Sequence, residues 1–271
     1  MRAHVAFIIG CRYIRSQRSN SYISFVSIVS FAAMSLGVMT LIVVLSVMNG
    51  FDHEIKKRIL NVLPQLSVIG DSGIKNWKPL GVSLLKHDRI QGYAPFVKGY
   101  GLLSSSSLSQ GVLLQGVSPS DEISVSSISK YMIDGELDDL LPGEFGILIG
   151  SMLADSLEVV VGDTVTLSLP DLNITPVGVF PRYKRFYVKG IYRVGAQVDN
   201  GIGFIHYVDA QKLFRLGKSV SGIKLKVENP FNVMSLVPYV KRSIPPSFYV
   251  ETWATEMSSL FKAIKMEKKI V

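Results

Sequence analysis

Cysteine is almost absent from this sequence of 271 residues, and the single Cys11 excludes a disulfide framework and any zinc site built on cysteine. Histidine is scarce too. His4, His53, His87 and His206 lie far apart, with no pair at metal-ligand spacing, so neither a metal nor a cofactor is expected. Charge is thin, at 18% of residues against 48% hydrophobic. That balance excludes disordered and collagen-like classes; it is too apolar for an ordinary soluble protein and too charged for a polytopic channel. What charge there is sits at the ends. Residues 1–18 hold Arg2, Arg12, Arg15 and Arg18 without an acid, and residues 262–271 hold four lysines and Glu267. These contribute +4 and +3 of the net +8, leaving +1 for residues 52–261. A nucleic-acid protein gathers basic charge on a folded face, whereas this excess flanks apolar segments, so a membrane and not nucleic acid is the expected partner.

No charge occurs between Arg18 and Asp52. The stretch Ile23 to Met48, 26 residues, is about 39 Å long as a helix, against a hydrocarbon core of about 30 Å. Arginines precede it, while Asp52, Glu54, Lys56, Lys57 and Arg58 follow in mixed sign. The positive-inside rule then puts the N-terminus in the cytoplasm and everything after Phe51 outside. A cleaved signal peptide would have a shorter apolar core and a small-x-small exit, which Ser46-Val47-Met48-Asn49-Gly50 lacks. Ile8-Ile9-Gly10-Cys11 looks like a lipoprotein acylation box, but only a short apolar stretch precedes it. Cys11 is expected on a short amphipathic helix along the inner membrane surface.

The remainder reads as mixed α and β. A helix over Ile55–Leu63 stops at Pro64. Strands are expected at Leu66–Ile69, Gly92–Leu103, Gly111–Val117, Gly146–Ile149, Thr164–Leu169, Phe186–Val194, Gly203–Tyr207, Ser221–Val227 and Phe248–Glu251. Helices are expected at Leu80–His87, Ser151–Leu157, from an N-cap at Asp209 to Leu216, and near Asn232–Lys241. The serines at 104–107 read as a solvated turn. From Trp253, Met257, Leu260, Phe261 and Ile264 share one helical face with lysines away from it.

Motifs for chemistry are missing. Gly217-Lys218-Ser219 ends like a phosphate loop, but Lys212 occupies the place of the required upstream glycine. No metalloprotease or nucleophile-elbow pattern occurs. Asp134, Glu136, Asp138 and Asp139 are read as solvated loop carboxylates, and Asn173-Ile174-Thr175 as a chance sequon. Catalysis is not expected. The unusual stretch is Ile174-Thr175-Pro176-Val177-Gly178-Val179-Phe180-Pro181, apolar yet broken by two prolines and a glycine, hence not a central strand. Tyr183, Lys184, Arg185 and Tyr187 follow as a basic amphipathic patch. From pattern alone the stretch is either a loop folded on its own core or a projecting apolar loop for a partner.

The runs Arg12-Tyr13, Ser24-Phe25-Val26-Ser27 and Leu45-Ser46-Val47-Met48-Asn49-Gly50-Phe51 resemble the first membrane helix of lipoprotein-releasing ABC transporter permeases of the LolC/LolE type. Leu260 to Lys268 is similar to that family's entry into its second membrane helix. Leu148-Ile149-Gly150-Ser151-Met152-Leu153-Ala154 and Val161-Gly162-Asp163-Thr164-Val165 resemble a periplasmic pattern shared with macrolide-exporter-like permeases, with Glu158 where a glycine is usual. The Thr-Pro-Val-Gly-x-x-Pro stretch is similar to the projecting hook of the C-type permease.

The resemblance implies a membrane protein with one N-terminal transmembrane helix and an α+β periplasmic domain. Residues 1–21 would be a cytoplasmic amphipathic N-terminus, 22–51 the transmembrane helix and 52–254 the periplasmic domain. Within that domain a Porter-like α/β part would take 62–99 and 221–252, and an inserted β-rich, Sabre-like part 100–220. Residues 255–271 would lead toward a second transmembrane helix. Family members have four membrane helices, so a truncated member is expected. The implied function is that of a permease subunit, not itself an enzyme, in an ATP-driven system that releases outer-membrane-directed lipoproteins from the bacterial inner membrane. Implied partners are an ABC ATPase, a second permease subunit (paralogue or self), lipoprotein substrates and a periplasmic lipoprotein chaperone. The chaperone would dock on Ile174, Thr175, Pro176, Val177, Gly178, Val179, Phe180 and Pro181, with Tyr183, Lys184 and Arg185 as a neighbouring pad; a further basic pad position falls near Thr166. A single-span adaptor, or a macrolide-exporter-like or cell-division-type permease relative, stays open, and neither needs such a hook.

Overall fold

The computed structural model describes residue 5, residues 8–10, residue 12 and residues 21–106, 108–175, 178–195 and 198–256. The amphipathic helix expected around Cys11 lies almost wholly outside the described residues, as does the helical face expected over Met257–Ile264. The chain divides into two compact units, residues 1–55 and 56–271.

The first unit carries most of the helix Ser21–Val62, which meets neither proline nor charge until Asp52. Within it Phe25–Val47, 23 residues of mean hydropathy 2.5, is long and apolar enough to cross a membrane at about 35 Å. Its side chains are exposed along the whole window, as a lipid-facing helix requires. Thr40 donates its hydroxyl to the Leu36 carbonyl at 2.8 Å, so the polar group is satisfied within the helix.

The second unit is built on one ten-stranded sheet. Its strands are β1 (Leu66–Ile74), β2 (Ile90–Ser104), β3 (Ser109–Val117), β4 (Met132–Asp134), β5 (Gly146–Gly150), β6 (Thr164–Thr175), β7 (Gly178–Tyr192), β8 (Ile202–His206), β9 (Val220–Val227) and β10 (Phe248–Thr252). The order is β10-β1-β9-β2-β3-β8-β5-β7-β4, with β6 pairing β2 and β7. Among the described residues only β3 with β8 and β5 with β7 run parallel. The runs Gly146–Gly150 and Ile202–His206, apolar but for His206, are buried at every position, consistent with central strands covered on both faces. Strand β2 spans two neighbourhoods: Ile90–Phe96 pairs with β9, and Leu102–Ser104 pairs with β6.

Short helices cover the sheet. Pro119–Val125 places Glu122 beneath it, where the fully buried carboxylate meets Lys224 Nζ of β9 at 2.7 Å and 2.8 Å. Gln115 of β3 accepts from the same ammonium at 3.3 Å. Tyr192 is wholly buried and its hydroxyl is directed at the carbonyls of Ile202 (2.8 Å) and Val198 (3.2 Å). Burial, with the nearby Asp199 carboxylate, holds its pKa well above the ordinary tyrosine value. Gly99 lies flat against the Phe214 ring, where a Cβ would overlap ring carbons.

Several boundaries depart from expectation for local reasons. The helix expected at Leu80–His87 spans Trp77–Leu84, because Pro79 falls in its first turn, where no intrahelical N–H is needed. The helix expected near Asn232–Lys241 is split into a 3₁₀ segment, Pro230–Ser235, and an α-helix, Val237–Ser243, with Pro238 in its first turn. Asp209 is not an N-cap. The helix is Tyr207–Leu213, and His206 caps it, its Nδ1 accepting from Val208 N–H at 3.2 Å. The acidic loop residues Asp134, Asp138 and Asp139 are exposed, and Asp139 accepts from the Glu136 N–H at 2.7 Å. Gly217 occupies a left-handed turn that returns the Ser219 N–H to the Leu216 carbonyl at 3.0 Å.

Candidate functional site

Strands β6 and β7 run antiparallel from Thr164↔Tyr187 to Thr175↔Gly178, so only Pro176 and Val177 connect them, and both lie outside the described residues. Among the described residues each strand has other neighbours only at its base. β2 supports β6 at Thr166–Ser168, and β5 and β4 support β7 at Tyr187–Tyr192. Beyond Ser168 and before Tyr187 the two strands pair, among the described residues, only with each other. The outer part is therefore a two-stranded arm that leaves the sheet. Between Leu169↔Arg182 and Leu172↔Pro181 the register shifts by two residues, a bulge at Pro170-Asp171 that bends the ribbon where sheet support ends.

Here the sequence expectation needs correction. The segment was expected as a proline-bracketed loop, yet Ile174, Thr175, Gly178, Val179, Phe180 and Pro181 are backbone-paired strand, with Ile174 opposite Val179. Proline is tolerated because a two-stranded ribbon has an unpaired edge on each strand. It is not a central strand, as expected.

At the base the period of two sorts the pad. Tyr183, Arg185 and Tyr187 are exposed on one face, while Phe186 and Val188 are buried on the other. The exposed face continues onto β2, where Tyr100 and Leu102 are also exposed. An open groove of about 320 Å³ runs there, lined by Tyr100, Gly101, Leu102, Ser168, Leu169 and Pro170. Lys184 belongs to the opposite face: its Nζ stands 3.4 Å from the centroid of the Phe145 ring, which meets Phe186 edge-on at 5.8 Å. Arg182 shares that face and donates from Nη2 to the Leu213 carbonyl at 3.0 Å, a cation at a helix C-terminus. The three pad residues expected from sequence thus divide: Tyr183 and Arg185 are exposed on one face, and Lys184 lies half-buried on the other, against the Phe145 ring. Thr166 is partly buried on the exposed side, opposite Arg185.

Sequence reading missed Phe145, Arg182, Tyr100 and Leu102. The period of two along Arg182–Val188 was the available signal for Arg182. Buried Asp209, read as a cap, instead accepts from Gly143 N–H at 2.8 Å and Phe145 N–H at 3.2 Å. Burial lowers the His206 pKa, the Asp209 carboxylate partly opposing, a direction that favours the neutral imidazole accepting at Nδ1. Among the described residues no group of three or more His, Cys, Asp or Glu side chains could hold a metal ion. The arrangement offers an apolar ribbon, an aromatic face and basic side chains, which suits docking better than bond-making.

Residues 27–242 match the family model of the MacB-like periplasmic core domain. The chain is 38% identical over 97% of its length to the "Lipoprotein-releasing system transmembrane protein LolC" of Neisseria meningitidis, covering 64% of that protein. It is 34% identical, with the same two coverages, to the protein of that name from Xylella fastidiosa. It is 28% identical to "Lipoprotein-releasing system transmembrane protein LolE" of Haemophilus influenzae, over 98% of this chain and 65% of that one. The chain thus spans a little under two thirds of the length of these relatives.

Proposed function

Since the chain belongs to the family of the MacB-like periplasmic core domain, we propose that it serves as a permease subunit of an ATP-driven system releasing lipoproteins from the bacterial inner membrane. Its apolar helix spans that membrane with the N-terminal arginines in the cytoplasm, and the sheet domain lies in the periplasm. ATP is hydrolysed on a separate ATPase subunit, a second permease subunit completes the assembly, and the β6–β7 arm receives the periplasmic lipoprotein chaperone. Within the domain, residues 62–99 and 221–252 make the Porter-like part and 100–220 the Sabre-like part that bears the arm.

The observation that carries this reading is the arm itself, a two-stranded ribbon paired from Leu172↔Pro181 to Thr175↔Gly178, beyond the strands that support β6 and β7 at their base. By sequence the ribbon is rich in apolar residues, with Leu172, Ile174, Val179 and Phe180. Acyl chains cost about 0.8 kcal/mol per CH₂ to expose to water, so a lipoprotein must pass directly into a sheltered cavity. An apolar tip seated in the chaperone's cavity would hold the two proteins together for that transfer. The Lys and Arg residues at the base add steering that fades with salt.

Val177→Asp tests this. A carboxylate at the tip would enter the cavity unpaired, costing several kcal/mol in effect. The full chain in detergent should then lose capture of the chaperone while its thermal melt stays within about 2 °C, the usual reach of a surface change. Binding that survives would place the partner site elsewhere; a collapsed melt would make the tip part of a core.

A further inference from the structure

We infer that Phe145 is a positioning residue for the docking site: its loop is held in an unfavourable backbone conformation so that its ring fixes the Lys184 ammonium at the root of the arm. This rests on the reading of the arm as the chaperone's receptor.

Phe145 has φ of 53°, the left-handed region, where a bulky residue is an outlier. The turn that leads to it already has a glycine of positive φ, Gly143 at 92°, so the reversal of the chain does not require a second such residue. Three ties over-determine the conformation. The buried Asp209 carboxylate takes the N–H groups of Gly143 and Phe145, at 2.8 Å and 3.2 Å. The Phe145 carbonyl accepts the Tyr187 N–H of β7 at 3.0 Å. Glu144, the preceding residue, pairs with Lys189 of β7 at 3.0 Å. Strain persists where surroundings impose it, and it gathers at ligand clamps and other functional positions.

What the strain delivers is a ring face. The loop lies against β7, so the ring reaches Phe186 edge-on, and its face meets Lys184 Nζ at 3.4 Å. A lysine on a free strand samples many rotamers, and ordering it on docking costs entropy. An aromatic face restrains the ammonium by cation–π attraction without taking up its N–H donors, which leaves them for acceptors on a partner. Lys184 lies on the part of β7 before Tyr187, which among the described residues pairs only with β6, so a fixed charge there bears on how a partner approaches the arm.

Two readouts on the full chain in nanodiscs test the inference. The first needs no partner: the ring should shift the Lys184 ε-methylene protons upfield in the NMR spectrum, and Phe145→Leu should return them to the ordinary lysine position. The second is affinity for the periplasmic lipoprotein chaperone. Phe145→Leu should weaken binding about two- to fivefold, the reach of one cation–π contact, and Phe145→Tyr should stay near wild type. In a Lys184→Met background Phe145→Leu should have no further effect, which a merely structural role would not produce. An unshifted Lys184 in the wild type, or equal weakening with and without Lys184, overturns the inference. A shifted Lys184 in a chain that never binds the chaperone upholds the positioning and overturns the reading of the arm.

Discussion

At the scale of single residues, Glu158 shows how a departure from a family pattern becomes a measurable quantity. It follows the helix Ser151–Leu157 with φ 53° and ψ 47°, donating its N–H toward the carbonyls of Ala154 and Asp155. A left-handed C-terminal residue fits the glycine that the family resemblance implies at this position. A Cβ there costs about 1 kcal/mol, and the side chain of Glu158 is exposed. Glu158→Gly should therefore stabilise the chain by about 0.5–1 kcal/mol, raising the melting midpoint by roughly 1–4 °C. Circular dichroism melts of the two chains in the same detergent decide it, and an unchanged or lower midpoint would show the left-handed turn to be unstrained. Residue identity was a poorer guide at the pad. Tyr183, Lys184 and Arg185 read as one basic amphipathic patch, yet neighbours along a strand face opposite ways, and only the pairing of β7 tells which of them meets solvent.

Between elements, the strongest polar tie is one that sequence could not announce. Glu122 and Lys224 stand 102 positions apart, yet the helix Pro119–Val125 brings the carboxylate under β9 with both charges buried. Lys224→Met would leave that carboxylate without its counter-charge and should cost about 3–5 kcal/mol. Glu122→Leu combined with Lys224→Met should recover most of the loss, because two buried charges are then removed together. Chemical denaturation of the two variants beside the unsubstituted chain measures this, and a single variant no worse than the double would refute a paired site. The contrast marks what was legible. Runs of apolar residues with period two, and Pro64 as a stop, were enough to find every strand but the three-residue β4 and to end the first helix. The helices Pro119–Val125 and Val198–Gly201 were missed because each is a turn or two long, with its apolar face set by the sheet above it. The arm was visible as an anomaly, two prolines in an apolar run, but its strand pairing was not, because proline's objection to a ladder applies to central strands and lapses in a ribbon with free edges.

At the scale of the whole molecule, an uncharged helix long enough to cross a bilayer and a sheet domain bearing an outstretched ribbon belong to one chain. The proposed orientation makes the two consistent: arginines stay in the cytoplasm, and the ribbon meets a carrier in the periplasm. The pattern of the sheet supplies an internal control, because β10 and the β7–β4 pair lie at opposite edges. Photo-crosslinking in intact cells uses it directly. A photoreactive residue is placed at Val177 on the arm or, as the control, at Tyr249, which is exposed on β10. The account predicts a covalent adduct with the periplasmic lipoprotein chaperone from position 177 and none from position 249; no chaperone adduct from 177, or equal yields from both, would contradict it.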